Sequence, residues 1–106
     1  MNILVLKTSE ENLLTIEDIK EQVQGDWKFN PSRLPQVDAV IVLNKGTVIA
    51  EFELGNEVKY FLDEKRVRLQ LNEIKVSTGL LNREISYNTQ NPATLSTLKD
   101  LRSKVL

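Results

Sequence analysis

The sequence predicts an α+β fold, in which a small antiparallel β-barrel or curved sheet lies between an N-terminal and a C-terminal helix. Strand-like segments cluster between residues 39 and 76, and helix-like segments lie near the two ends. Tight-turn residues at Lys45–Gly46 and Gly55–Asn56 separate the strands and favour antiparallel pairing. A change of apolar parity near Asn72 indicates a β-bulge, and bulges bend strands as small barrels require.

Composition limits the functions that are open to this chain. Its 106 residues, 41% apolar and 27% charged, predict one domain spanning residues 1–106. There is no cysteine and no histidine, which excludes disulfides, cysteine nucleophiles, Ser-His-Asp catalysis and histidine metal sites. The four glycines form no phosphate-binding loop. We therefore predict no catalytic residues, no bound metal and no cofactor, and we favour a non-catalytic protein over an enzyme.

The distribution of apolar residues along the sequence predicts where in the cell the protein is located. The N-terminal apolar run is shorter than the core of a signal peptide, and no stretch approaches the roughly 20 apolar residues that cross a bilayer. We expect a cytoplasmic protein without membrane association.

The first elements are a buried strand and a helix. Ile3–Leu6 is a fully apolar run, which predicts the strand. Thr15 and Asp18 have the spacing of a capping box, and Gly25 suits the position that ends the helix. The apolar residues predicted on one helix face are Ile16, Ile19 and Val23.

The middle of the chain predicts successive strands. Asp26–Phe29 is predicted as a short strand, and a proline-punctuated loop follows it. Ala39–Leu43 is unbroken apolar sequence, which is typical of a strand covered on both faces. Thr47–Leu54 alternates apolar and polar residues, so Glu51 and Glu53 share its outward face. Such a pair has the chemistry of a carboxylate pair or a hard-cation site, but paired strand glutamates usually serve solubility.

Val58–Leu62 and Arg66–Val76 are predicted as the next two strands. In the second, apolar residues at positions 67, 69 and 71 alternate with polar ones, and apolar residues then occupy positions 74 and 76. That change is the basis for the bulge near Asn72. The polar face of this strand carries Arg66, Arg68, Gln70 and Asn72.

A C-terminal helix is predicted from position 91 onward. Asn91 suits the N-cap and Pro92 the first helical position. The residues of the predicted apolar stripe are Leu95, Leu98, Leu101 and Val105.

The order of several short motifs resembles the PUA-like (ASCH/EVE-type) barrels of small phage and bacterial proteins. These motifs are Gly25–Trp27, Ser32–Arg33, an apolar strand ending at Asn44–Gly46, the segment Thr47–Leu54 and an arginine-bearing strand. The resemblance covers about half of the chain and implies a PUA-like β-barrel. PUA-like families include RNA binders, readers of modified bases and a few hydrolases, so it implies recognition of nucleic acid more than any one reaction.

We predict a ligand-binding surface with two parts. Trp27 serves either as a base-stacking platform or as a core residue. The arginines either contact phosphate or hydrogen-bond locally on a solvated surface. The predicted lip consists of Trp27, Phe29, Asn30, Ser32 and Arg33, and the predicted strand face of Arg66, Arg68 and Gln70.

Three functions remain open on this basis. The first is a module that binds RNA, DNA or a modified base, and the second is a phage-type or bacterial accessory protein that binds another protein. The third is a small hydrolase that uses Lys45 or Lys75 with a nearby threonine. The net charge of −1 favours a protein partner over strong attraction to nucleic acid. Residues 27–106, however, carry twelve basic and nine acidic side chains, so an anion-binding surface is predicted there.

Overall fold

The computed structural model describes residues 1–9, 15–23, 31–55, 59–61, 66–89 and 91–106, which form a small α+β domain. Gly25 and the predicted strand Asp26–Phe29 lie outside these residues. Five strands form a sheet in the order β6-β3-β2-β1-β7, and β4 and β5 form a separate hairpin. The bounds are β1 Asn2–Thr8, α1 Ile16–Val23, a 3₁₀ helix Pro31–Gln36, β2 Ala39–Asn44, β3 Thr47–Leu54, β4 Lys59–Phe61, β5 Arg66–Arg68, β6 Leu71–Glu73, β7 Ala93–Thr97 and α2 Leu98–Ser103.

The two apolar runs of the sequence form the centre of the sheet. β1 and β2 lie side by side and are parallel, with Ile3 opposite Ala39 and Leu6 opposite Val42. The chain crosses between them through α1 and the 3₁₀ helix, as parallel pairing requires. The other pairings in this sheet are antiparallel. The prediction of buried strands is confirmed for both apolar runs. The sheet is mixed, because its described strands form one parallel pairing and three antiparallel ones.

The start of α1 is a capping box, as predicted. The Thr15 hydroxyl accepts a hydrogen bond from the backbone N–H of Asp18 at 3.1 Å, and the Asp18 carboxylate accepts one from the backbone N–H of Thr15 at 3.2 Å. Ile19 and Val23 are buried beneath the helix, whereas Ile16 is half exposed. The predicted apolar face of α1 is therefore confirmed at two of its three positions.

The hairpin of β2 and β3 turns at Lys45–Gly46. Both turn residues have positive φ, 51° and 87°, which is the backbone of a type I′ turn. Val42 pairs with Ala50 and Leu43 with Val48, so the residue between them on β3 is an extra one. That residue is Ile49, and the sheet therefore has a β-bulge at this position.

The predicted bulge near Asn72 is wrong, and so is the single strand Arg66–Val76. The segment forms two short strands, β5 and β6, which pair with different partners. β6 pairs with β3 in continuous register, which leaves no bulge at Asn72. The prediction that consecutive strands pair with one another throughout residues 39–76 is also wrong, because β3 pairs with β6 and not with β4. The parity change has another cause: Leu71 packs on one face of the sheet and Ile74 on the other, which ordinary alternation produces when both faces are covered.

The predicted C-terminal helix begins later than expected. Residues 93–97 form β7, an edge strand paired with β1, and α2 begins only at Leu98. Thr97, and not Asn91, is its N-cap, because its hydroxyl accepts the backbone N–H of Asp100 at 3.2 Å. The stripe is accordingly divided: Leu95 packs on one face of the sheet, and Leu98 packs on the other with the rest of α2.

Two buried clusters cover the two faces of the sheet. The first cluster lies beneath α1, the 3₁₀ helix and the β5 segment, and the second lies beneath residues 74–87 and α2. The first consists of Leu4, Leu6, Ile19, Val23, Leu34, Val40, Val42, Ala50, Phe52, Val67, Leu69 and Leu71. The second consists of Ile3, Val5, Ala39, Ile41, Leu43, Val48, Leu80, Ile85 and Leu101.

Candidate functional site

The predicted lip is described only in part. Trp27, Phe29 and Asn30 lie outside the described residues, so the predictions made for them stay predictions. Ser32 and Arg33 lie in the 3₁₀ helix Pro31–Gln36, where an irregular loop was expected.

The 3₁₀ helix Pro31–Gln36 and the arginine-bearing strand β5 cover the same buried cluster. Leu34 follows Arg33 directly and packs into the first cluster. Val67, the residue between Arg66 and Arg68, packs into that cluster as well. The 3₁₀ helix that contains Ser32 and Arg33 and the strand β5 therefore lie on one side of the sheet.

The arginine-bearing strand forms half of a basic hairpin, which we define as β4 and β5. Lys59 lies directly opposite Arg68, and Phe61 lies opposite Arg66. The side chains of Lys59 and Arg68 are exposed. Side chains directly opposite on antiparallel strands are about 5 Å apart at their Cβ atoms, so the two cations lie within reach of one anion.

Polar side chains continue from the basic hairpin toward the edge of the sheet. Arg68, Gln70 and Asn72 alternate with residues of the first cluster, so all three point away from that cluster. Successive members of this row are two residues apart in the sequence, so the Cα atoms of each pair are at most about 7 Å apart. The predicted alternation of apolar and polar residues is thus confirmed at these positions. The three polar residues do not lie on one strand, because Arg68 ends β5, Gln70 follows it outside any strand and Asn72 belongs to β6.

The row ends at an open cavity of about 450 Å³, which we call the edge pocket. The backbone N–H of Gly55 donates a 2.8 Å hydrogen bond to the carbonyl oxygen of Gln70, and a Cβ placed on Gly55 would overlap the Gln70 side-chain amide. The Gln70 side chain therefore occupies the space that the Cβ atom of any other residue at position 55 would need. The residues that line the pocket are Glu53, Leu54, Gly55, Gln70, Asn72, Glu73 and Lys75.

One wall of the edge pocket is fixed by Glu53. This residue lies directly opposite Asn72 in the pairing of β3 with β6. Its Oε1 atom accepts a 2.8 Å hydrogen bond from the backbone N–H of Lys75. This hydrogen bond anchors the Glu53 carboxylate to the backbone of Lys75, at the strand position opposite Asn72.

Glu51, the other glutamate on this face, fastens the segment after β6 to the sheet. Its Oε2 atom accepts hydrogen bonds from the Thr78 hydroxyl at 2.7 Å and from the Thr78 backbone N–H at 3.1 Å, and Thr78 is fully buried. Burial alone would raise the pKa of Glu51, but hydrogen bonds from Ser77 and Thr78 outweigh it and lower that pKa below its ordinary value. Each glutamate thus binds a backbone N–H group of residues 75–78, which is a structural role that the expectation of solubilising glutamates missed.

The features expected of a hydrolase are not assembled among the described residues. Lys45 lies in the β2–β3 turn, and Lys75 is exposed at the rim of the edge pocket. Glu51 is engaged by Thr78. In the part of the chain that the structure describes, no three metal-ligating side chains of the His, Cys, Asp or Glu type come together.

The sequence pattern does not predict that Lys59 and Glu53 belong to this surface. Lys59 becomes part of it only through the register of β4 on β5, which places it opposite Arg68. Glu53 was weighed only as a partner of Glu51, and its position beside the row depends on the pairing of β3 with β6. Side-chain alternation does not predict which residues of two strands lie opposite each other, because cross-strand register depends on turn geometry as well as on pattern.

Comparison with protein-family models, with curated proteins and with solved structures finds no match. Among the described residues, no helix has the length and apolar character that a membrane span requires.

Proposed function

We propose that this protein is a non-catalytic module that binds nucleic acid through the basic hairpin. The observation that carries the proposal is the register that sets exposed Lys59 directly opposite exposed Arg68. A phosphate that lies between these two exposed cations would accept a charge-assisted hydrogen bond from each of them. The excess of basic residues after position 26 supports the same location.

The row of polar side chains extends this contact surface. Gln70 and Asn72 offer amide donors and acceptors next to the cation pair, and such groups can hydrogen-bond base edges as well as phosphates. Phosphate contacts by Lys59 and Arg68 would supply affinity, and the amides would add discrimination. The lip from Trp27 to Arg33 is proposed to continue the surface, with Trp27 stacking on a base if its side chain is not part of the core.

We also propose that the sheet curves toward a PUA-like barrel, in agreement with the resemblance in the sequence. The described strand pairings form an open sheet. In support of curvature, the basic hairpin packs Val67 over the first cluster before the chain enters the sheet edge at Leu71. A cytoplasmic location would suit such a module.

A salt titration of oligonucleotide binding tests the proposal. Mixed-sequence RNA and DNA should bind with an affinity that falls steeply with salt, since released counterions give a slope of about −0.7 per contacted phosphate for single strands. Lys59→Ala combined with Arg68→Ala should weaken binding to all sequences and make the slope shallower.

The matched control is Lys99→Ala combined with Arg102→Ala. Both residues are exposed on α2, and the double substitution removes the same charge. If the two double variants lose affinity equally, net charge and not the basic hairpin accounts for binding. If the wild type binds no RNA or DNA, the proposal is wrong.

A second candidate function is binding of a protein partner. It is favoured by two apolar side chains that stay exposed in residues 74–82: Val76 is 69% exposed and Leu81 is 42% exposed. Replacing both with serine should abolish capture of a protein partner without affecting oligonucleotide binding. Salt-dependent binding of oligonucleotides would favour the nucleic-acid module, and its absence would favour the protein partner.

A further inference from the structure

We infer that the edge pocket receives a guanine base of a single-stranded nucleic acid whose backbone lies on the basic hairpin. This inference rests on the proposed function and specifies its ligand. Gln70 lines the edge pocket and lies two residues after Arg68, so the Cα atoms of these two residues are at most about 7 Å apart. That spacing is of the order of the distance between the phosphate of a nucleotide and its base. A phosphate held by Lys59 and Arg68 would thus bring its own base, or the adjacent one, to the pocket.

The dimensions and lining of the edge pocket suit a base. Its volume of about 450 Å³ lies within the range of about 300–1,000 Å³ that is usual for small-molecule sites. Leu54 contributes an apolar surface, and most of the remaining lining is polar. The glycine at position 55 lets the Gln70 amide lie close to the backbone in the wall of the pocket.

The chemistry of the pocket favours guanine. An ionised carboxylate only accepts hydrogen bonds, and Glu53 is held in place by the backbone N–H of Lys75. Guanine presents two adjacent donors on its Watson–Crick edge, N1–H and the N2 amino group, which together match the two oxygens of a carboxylate. The neighbouring O6 atom is an acceptor, and the amide groups of Gln70 and Asn72 can donate to it. No other standard base offers two parallel donors beside an acceptor.

The Watson–Crick edge is free only where the nucleic acid is unpaired. Sequence-specific RNA recognition accordingly targets single strands and loops, whose bases can be turned outward. The inference therefore excludes a duplex as the preferred ligand, although a two-stranded β-ribbon has the width to enter a major groove.

The test compares three single-stranded probes of about ten nucleotides, a length within the usual site sizes of single-strand binders. One is oligouridine with a single central guanosine, the second has inosine at that position, and the third is uridine throughout. Inosine lacks only the 2-amino group. We expect the guanosine probe to bind at least about tenfold more tightly than the other two, as one lost bidentate contact would cause.

Two variants assign that preference to the pocket. Glu53→Gln keeps an acceptor for the Lys75 N–H but removes the charge, and it should bring the guanosine and inosine probes to equal affinity. Gly55→Ala displaces the Gln70 side chain and should weaken the guanosine probe without changing the salt slope. Glu84→Gln, an exposed glutamate elsewhere on the chain, is the control and should leave the preference intact.

The outcomes separate this inference from the proposed function. Equal binding of all three probes, with affinity still dependent on Lys59 and Arg68, would overturn the pocket assignment and leave the nucleic-acid function standing. Tighter binding of a duplex than of its single strands would overturn the assignment in the same way. A wild type that binds none of the probes, and no mixed-sequence RNA or DNA, would overturn both.

Discussion

Removing the carboxylate of Glu51 should destabilise the fold more than any other substitution of an acidic residue discussed above. Glu51 accepts two hydrogen bonds from Thr78, whose fully buried N–H and hydroxyl groups have no access to replacement water. A hydrogen bond to a charged group contributes about 1.5–3 kcal/mol, and a buried donor left without an acceptor costs about 1–3 kcal/mol. Because the carboxylate itself is partly exposed, solvent screening reduces the total, and we expect Glu51→Ala to lose about 2–3 kcal/mol.

Thermal and urea unfolding of the purified variant measure this loss. In a domain of this size, each kcal/mol shifts the melting temperature by about 4–8 °C, so Glu51→Ala should melt about 8–24 °C below the wild type. Glu51→Gln keeps one acceptor and should lose about half as much. Glu84→Ala, at an exposed glutamate, is the control and should stay within about 0.5 kcal/mol of the wild type.

The pH dependence provides an independent check. The pKa of Glu51 is lowered in the folded protein from an ordinary value of 4.5, so its contribution to stability is fully present above that value. The contribution should disappear as the pH falls through the lower folded pKa. The stability difference between wild type and Glu51→Gln should therefore be constant near neutrality and shrink in acid. A Glu51→Ala protein with wild-type stability at pH 7 would refute the structural role of this carboxylate.

Three further predictions concern the core, the C-terminal helix and metals. Leu101→Ala removes a fully buried side chain of the second cluster and should cost about 2–5 kcal/mol in urea unfolding; a loss below about 1 kcal/mol would mean that α2 packs loosely. Thr97→Ala removes the N-cap of α2 and should cost about 0.5–2 kcal/mol, while Thr97→Ser should be close to neutral; equal losses in both variants would contradict the cap. Protein purified without added metal should contain no stoichiometric zinc by elemental analysis, since the sequence has neither histidine nor cysteine.

Local patterns predicted the parts of the fold that depend on neighbouring residues. The capping box of α1, the β2–β3 turn and the buried central strands all follow from a few adjacent positions. The parallel pairing of β1 and β2 was missed, although two fully apolar runs separated by a helix are typical of it. The tight-turn residues at positions 45–46 and 55–56 favour antiparallel pairing of consecutive strands, and the sequence therefore predicted no parallel pair.

The errors near the C-terminus have a different cause. Leucines at positions 95, 98 and 101 fit a helical stripe, but Leu95 belongs to a strand and the other two to the helix that follows it. Spacing alone cannot distinguish these arrangements when an edge strand runs directly into a helix. Thr94, Ser96 and Thr97 favour a strand and then a cap, and that propensity, together with pairing to β1, prevails over the apparent stripe.

In the candidate site, too, local pattern predicts only the features that depend on neighbouring residues. The row of Arg68, Gln70 and Asn72 could be predicted because it depends on alternation alone. The partner of Arg68 on β4 and the carboxylate beside Asn72 could not, because each is brought there by pairing with a strand distant in sequence. The contacts that would distinguish one base from another are therefore a property of the fold and not of the local pattern.

The central claim is that nucleic acid binds along the basic hairpin and the row that follows it. Amide chemical-shift mapping during titration with the guanosine-containing probe tests this claim most directly. We predict shifts concentrated in residues 53–55, 59–61 and 66–75, saturating with a single affinity and reduced by added salt. Shifts confined to the exposed apolar residues Val76 and Leu81, or no shifts with any oligonucleotide, would contradict it.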